Sequence, residues 1–184
     1  IMDKKDTAHA KKKPAKTEKK PNKLAPLIEQ IRSTGRYYLS IPFVPYFVFL
    51  ALAILLNFLM ELEVFPFFIR IYCGLILFII AGAIYYLSWK TIRKYVEAVN
   101  ILEVQPPLVL FEGMFRYSRN PVFIAGLFAF AGLCVLINNA WGILLIPFLV
   151  FTLNTFAFPP REYLMREEYG ESYQDYAQKV GRWL

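Results

Sequence analysis

Apolar residues in this chain come in four long runs, at about residues 41–60, 67–89, 121–137 and 140–158, with polar stretches of very unequal length between them. None alternates with period two, and each falls within the roughly 17–25 residues that a helix needs to cross a ~30 Å hydrocarbon core. The pattern predicts an all-α integral membrane bundle of four spans. Pro42 and Pro45 fall in the opening turns of the first run, where a missing N–H costs least, and Asn57, its one strongly polar residue, is expected to face the bundle. Glu61, Glu63 and Pro66 mark a short turn. In the second run Arg70 lies where its long stem can reach the head groups, and Tyr85, Tyr86 and Trp89 form an aromatic belt at the far end. Residues 90–120 read as the longest polar connection. Only Asn138 and Asn139 separate the third and fourth runs, so these form a tight antiparallel hairpin, with Ala125, Ala129 and Gly132 as a small-residue face. Pro159 and Pro160 are expected to end the fourth run. Beyond them Tyr169, Tyr173, Tyr176, Ala177 and Val180 recur at helical spacing and predict a C-terminal cytosolic helix.

The N-terminal part has a different character. Residues 1–23 are a Lys/Ala/Pro/Thr tract without apolar periodicity and read as a disordered basic tail; no apolar core follows the charges as in a signal peptide. Leu24, Leu27, Ile28 and Ile31 predict an interfacial amphipathic helix over 24–36, which leaves 37–184 as the membrane domain. Residues 1–36 hold nine Lys and two Arg against four acids, a balance suited to anionic lipid heads. With four spans, the basic tail, the 90–120 connection and the basic C-terminus share one side. The positive-inside rule then puts both termini and any site there in the cytosol. The partners expected are membrane lipid and a lipid-like substrate, not nucleic acid.

Composition narrows the chemistry. The chain is 57% hydrophobic, and its single histidine, His9, lies in the basic tail. Cys73 and Cys134 sit inside apolar runs. No His/Cys metal site and no Ser-His or Cys-His nucleophile is expected. There is no Gly-x-Gly for a dinucleotide turn, no P-loop, and no intramembrane carboxylate chain of the kind proton pathways use. The residues left for chemistry are Arg116, Tyr117, Arg119, Asn120, Arg161, Glu162, Tyr163, Glu167, Glu168 and Arg182. Most flank the hairpin. Because a hairpin returns its two ends to one membrane face, 113–123 and 161–176 are expected to meet and form one polar site.

Gly113 permits a tight turn. Asn120 precedes a proline and is biased away from helix, while Pro121 suits a first helical position. Arg119 and Asn120 should therefore stand at a helix start whose free N–H groups favour anions. Glu162, across the hairpin, can accept from hydroxyls or an ammonium. The pair suits a zwitterionic ligand.

The order Gly-x-(Phe/Tyr)-x-x-x-Arg-(His/Asn)-Pro-x-(Tyr/Phe), a hairpin, then Glu-x₇-Gly-x-x-Tyr-x-x-Tyr-x-x-x-Val-x-Arg-Trp resembles the isoprenylcysteine carboxyl methyltransferase family and the phospholipid methyltransferases that share its pattern. Here it reads Gly113, Phe115, Arg119, Asn120, Pro121, Phe123, then Glu162, Gly170, Tyr173, Tyr176, Val180, Arg182 and Trp183. The resemblance covers about residues 40–184. It implies an integral membrane enzyme using S-adenosylmethionine, held in a cytosolic pocket over the hairpin and enclosed by the C-terminal segment. It implies Arg119, Asn120 and Glu162 as cofactor contacts, with Gly113, Tyr117, Pro121 and Phe123 in the same set, and Arg119, Arg161 and Glu162 as catalytic candidates. Two departures stand out: Arg161 replaces the first residue of a common Glu-Glu pair, and Phe123 replaces the usual Tyr. The expected reaction is carboxyl O-methylation of an isoprenylcysteine-type acceptor. The alternatives are phospholipid N-methylation, or a non-catalytic lipid- or partner-binding protein on the same fold.

Overall fold

The computed structural model describes residues 43–102 and 112–184. The basic tail, the predicted interfacial helix over 24–36, Pro42 and Glu103 lie outside the described residues. What is described is helical, with no strand. The elements are α1 (Val44–Leu59), α2 (Phe67–Leu102), a 3₁₀ turn (Gly113–Arg116), α3 (Pro121–Leu136), α4 (Ala140–Thr152), a π turn (Leu153–Ala157), α5 (Phe158–Tyr169) and α6 (Glu171–Lys179).

Two stretches, Phe67–Lys94 and Ala140–Glu167, are long and apolar enough to cross a membrane by themselves. The other two apolar helices, Val44–Leu59 and Pro121–Leu136, are shorter. At 1.5 Å per residue, 16 residues span about 24 Å.

The first two helices are packed in the manner of a bilayer protein. Their large apolar side chains point outward: Phe47, Phe58, Phe68 and Ile79 are among the most exposed residues of the chain. Their buried positions are small or hydroxylated. On α2 these are Gly74, Ala81 and Ser88, seven residues apart, followed by Thr91. Lipid is as apolar as leucine, so burying leucine gains little there, and close backbone approach decides which face turns inward. The partner face on α3 is Ala125 and Gly132, also seven apart. Gly74 and Gly132 meet so closely that a Cβ on Gly132 would stand 3.1 Å from the Gly74 carbonyl. The small-residue face expected on α3 thus packs on α2.

The hairpin turn is as tight as its two asparagines imply. Asn138 takes φ +56, a conformation asparagine tolerates better than most residues. Asn139 caps α4 by accepting the Gly142 N–H at 3.1 Å. Both side chains also reach outside the hairpin: Asn138 Oδ1 accepts the N–H of Phe65 in the α1–α2 connection at 3.0 Å, and Asn139 Nδ2 donates to the Ala53 carbonyl of α1 at 3.0 Å. Trp141 Nε1 donates to the Met60 carbonyl at 2.8 Å. Asn57 is half-buried, with Oδ1 enclosed, and Arg70 stacks over the Phe67 ring at 5.1 Å.

Three boundaries differ from expectation. The second helix does not stop at Trp89 but runs on through Leu102, so the polar connection after it is shorter than residues 90–120. Nothing between Gly82 and Pro106 breaks a helix, and the Ser88 and Thr91 hydroxyls bond back to the carbonyls of Ile84 and Leu87 instead of opening the ladder. Pro159 and Pro160 do not end the fourth helix; they sit in the first turn of α5. The π turn just before them closes with the Phe158 N–H on the Leu153 carbonyl, and this wider coil admits two rings that lack N–H groups. The C-terminal helix is two helices, because Gly170 takes φ +56 and breaks it. Its apolar face persists across the break: Tyr173, Tyr176 and Val180 are buried against Met165, Tyr169 and Ala177.

Candidate functional site

The end of the bundle opposite the asparagine turn is built around residues 113–123. Gly113 starts the 3₁₀ turn at φ +56, with its Cα so close to Thr91 that a Cβ would run into the threonine hydroxyl. The turn delivers the chain to Ser118, Arg119 and Asn120, and Pro121 opens α3. Asn120 stands at the N-cap position, but its side chain does not cap the helix. Its own backbone carbonyl takes the Phe123 N–H at 3.0 Å.

The Asn120 side chain turns instead toward the C-terminus. Its Nδ2 donates to the Arg182 carbonyl at 3.2 Å, and Ser118 Oγ donates to the same carbonyl at 3.1 Å. The Arg119 N–H donates to the Gly181 carbonyl at 3.0 Å. Residues 181–182 are thereby laid along 118–120. Trp183 follows, its ring 5.0 Å from Phe158, which in turn meets Phe123 edge-on at 5.1 Å, and its Nε1 donates to Asn154 Oδ1 of the π turn at 3.2 Å. Tyr176 fastens α6 from the other side by donating to the Phe115 carbonyl at 2.7 Å.

Glu162, one turn into α5, is 7% exposed and carries the ionic centre of this end. Arg182 grips it with both forks, Nε to Oε1 and one terminal nitrogen to Oε2, each at 2.8 Å. Arg119 approaches Oε1 at 3.2 Å. The hydrogen bond to Glu162 raises the Arg182 pKa further above its ordinary value. Arg161 faces elsewhere and lies over the Phe123 ring at 5.0 Å. Burial raises the Tyr173 pKa and the Glu162 charge adds to that, while hydrogen bonding with Arg119 opposes both. Tyr176 is raised as well, chiefly by burial.

A cavity of about 270 Å³ opens between these groups. Arg119, Asn120, Arg161 and Glu162 line it together with Phe115, Ile92 and the α5–α6 residues Met165, Tyr169, Tyr173 and Tyr176. On α5 the spacing Glu162, Met165, Tyr169 puts one stripe on its wall. A second cavity, of about 520 Å³, lies beyond the Arg119–Glu162 pair and takes in Arg166, Gln174 and Arg182. The Nε of Arg119 is buried without a hydrogen-bond partner, a donor still to be satisfied.

The two sequence stretches therefore do meet. Arg119, Asn120, Arg161 and Glu162 converge on one cavity. Phe123 is buried beneath Arg161, and Pro121 is buried at the helix start. Gly113 and Tyr117 stand elsewhere: with Arg116 they line a separate cavity on the other side of the 3₁₀ turn. Tyr163 and Glu167 are exposed on α5. The tyrosine wall, Met165 and Ile92 were not singled out as site residues. Tyr173 and Tyr176 stand out in the sequence as the apolar face of a helix and as members of the motif, without a site role, and Ile92 has no sequence signal at all.

Among the described residues no group of three or more His, Cys, Asp or Glu could hold a metal ion. No curated protein and no solved structure matches the chain. The phospholipid methyltransferase family model matches residues 69–172. That match begins in the first turn of α2 and ends at the start of α6. It contains both halves of the hairpin and all four residues that converge on the cavity, and stops short of Arg182. Enzymes of this family are membrane methyltransferases that generally draw on S-adenosylmethionine. With more than half its length matched, and with two helices long and apolar enough to cross a membrane, the chain belongs to the phospholipid methyltransferase family.

Proposed function

We propose that this protein transfers a methyl group from S-adenosylmethionine to a lipid-type acceptor at the membrane face where Arg119, Asn120, Arg161 and Glu162 converge. The observation that carries this reading is the cavity itself: a family member's two motif stretches enclose it and bring Arg119, Arg161 and Glu162 to its wall. The residues present fit the methyl donor. Arg119 suits its carboxylate, Glu162 suits its ammonium, and the faces of Phe115, Tyr169 and Tyr173 suit a cationic sulfonium and a flat base. Pro121 and Phe123 support the floor, and Gly113 and Tyr117 act through the shape of the 3₁₀ turn.

When bound, the donor supplies a methyl already activated by its sulfonium. The chain's own residues bind, orient the acceptor and exclude water. Both Glu162 oxygens are already engaged by the Arg119 and Arg182 guanidinium groups, and Tyr173 and Tyr176 are held protonated by burial. Neither is a ready base. Two arginines line the cavity against one carboxylate, which Arg182 also pairs from outside it, and this leaves the site cationic. An acceptor that needs no deprotonation and carries negative charge fits best, which favours carboxyl O-methylation of an isoprenylcysteine-type substrate, with Arg161 holding the carboxylate. The family match favours a second reading, N-methylation of a phospholipid amine. In either case we place four crossings, with α1 and α3 completing the bundle and both termini and the site in the cytosol, on the Lys/Arg asymmetry of the chain.

Calorimetric titration of S-adenosylmethionine, or its demethylated product, into the detergent-purified chain tests the cofactor. Micromolar binding that Arg119→Ala weakens by about 2 kcal/mol or more is expected. Binding unaffected by Arg119→Ala removes the site assignment, and no binding to folded protein leaves the non-catalytic reading. Labelled-methyl transfer to a prenylated cysteine, set against phosphatidylethanolamine, then separates the two acceptors.

A further inference from the structure

The cavity on the far side of the 3₁₀ turn has a chemistry of its own. It encloses about 490 Å³, between the turn of α2 that carries Lys90, Thr91 and Lys94 and the segment from Glu112 to Tyr117. The 3₁₀ turn is the partition: Phe115 faces the candidate methyl-transfer cavity, while Met114 and Arg116 face this one. Three cations and one carboxylate line it. Lys94 and Glu112 pair at 2.9 Å and cancel. Lys90 and Arg116 remain, both exposed, and among the described residues neither has an ion-pair partner. Leu87, Met114 and Tyr117 supply apolar surface below them.

The level of this cavity in the membrane can be read from α2. Tyr85, Tyr86 and Trp89 are 45%, 62% and 52% exposed and immediately precede Lys90. Such rings sit at head-group depth. Lys90, next to Trp89, and Arg116, which shares its cavity, therefore stand at head-group level, where lipid phosphates lie. Net positive charge over an apolar floor at that depth matches a lipid with an anionic head better than a soluble anion.

We propose that Lys90 and Arg116 bind the phosphate of an anionic membrane lipid in this cavity, beside but outside the candidate methyl-transfer site. Leu87 and Tyr117 carry the glycerol end of the lipid. This needs only that the chain sits in a bilayer and holds whether or not methyl transfer occurs next door.

The test uses the full chain in detergent, equilibrated with equal phosphatidylglycerol and phosphatidylcholine and released into a mass spectrometer under native conditions, with no methyl donor added. Phosphatidylglycerol should be retained over phosphatidylcholine by about tenfold. The preference should fall severalfold in Lys90→Gln/Arg116→Gln, to what the basic tail alone supplies, and survive in Lys90→Arg/Arg116→Lys, which keeps the charges. Inorganic phosphate at the same concentration should not displace the lipid. The proposal is overturned by equal retention of the two lipids, by a preference that is undiminished in the glutamine variant or is lost in the charge-keeping one, or by displacement with inorganic phosphate. Since no donor is present, none of these results bears on the cofactor site.

Discussion

At Gly113 a single hydrogen atom decides the geometry of the site. The residue takes φ +56 and lies against Thr91. Gly113→Ala therefore meets two penalties, left-handed backbone strain and overlap with the threonine hydroxyl, and should destabilise the fold by about 2 kcal/mol or more. Adding Thr91→Ala should restore only part of this, since it relieves the overlap and not the backbone. Equal denaturation midpoints for Gly113→Ala and wild type would contradict this reading. Glu162 is a second such residue. Removing its carboxylate leaves Arg119, whose side chain is 13% exposed, without its counter-charge. Glu162→Ala should cost roughly 3 kcal/mol of stability, and Glu162→Gln less because an acceptor remains. Denaturant unfolding of the two variants measures the difference. A loss of cofactor binding in Glu162→Ala must be read beside that unfolding curve, and so Arg119→Ala and Glu162→Gln are the cleaner probes of the site.

At the scale of elements, what could be read in the chain and what could not divide along a physical line. The hairpin was legible because Asn138 and Asn139 interrupt an otherwise unbroken apolar run. The inward face of α3 was legible because small residues in a membrane helix have few other uses. The ends of α2 and α4–α5 were not. A change from apolar to charged residues marks the edge of the bilayer, and a helix can carry on past that edge, as α2 does through Lys90 and Lys94. Prolines end helices by default, and the π turn that lets Pro159 and Pro160 pass has no sequence mark. The extra turns matter, since α5 brings Glu162, Met165 and Tyr169 to the cavity only because the helix continues. Docking of α6 over that cavity depends on two buried phenols. Both have pKa values raised above the ordinary 10 in the folded chain, so their contribution is complete below about pH 10 and is lost as pH rises through the folded values. Tyr173 and Tyr176 should ionise after the exposed tyrosines in an ultraviolet titration, with α6 released as they do. The late fraction should shrink in Tyr176→Phe; a titration curve unchanged by that substitution would count against the docking role.

Over the whole molecule, stability and site chemistry sit at opposite ends of one bundle. The asparagine turn between α3 and α4 is tied to the α1–α2 connection by Asn138 and to α1 and α4 by Asn139. At the other end, the C-terminal segment of residues 181–183 joins Ser118, α5 and the π turn. Substitutions far apart with no shared partner act independently. Asn139→Ala removes a helix cap and a buried bond to the Ala53 carbonyl, and should cost about 2 kcal/mol of stability. It should leave the affinity for S-adenosylmethionine at its wild-type value. Deleting residues 181–184 removes the carbonyls that hold Ser118 and Asn120 as well as the Arg182 fork on Glu162, so stability and affinity should fall together. Calorimetry and thermal unfolding on the same two samples decide the matter. If Asn139→Ala weakens cofactor binding as the truncation does, the bundle transmits strain from end to end, and the cavity is not the self-contained site that its local hydrogen bonds describe.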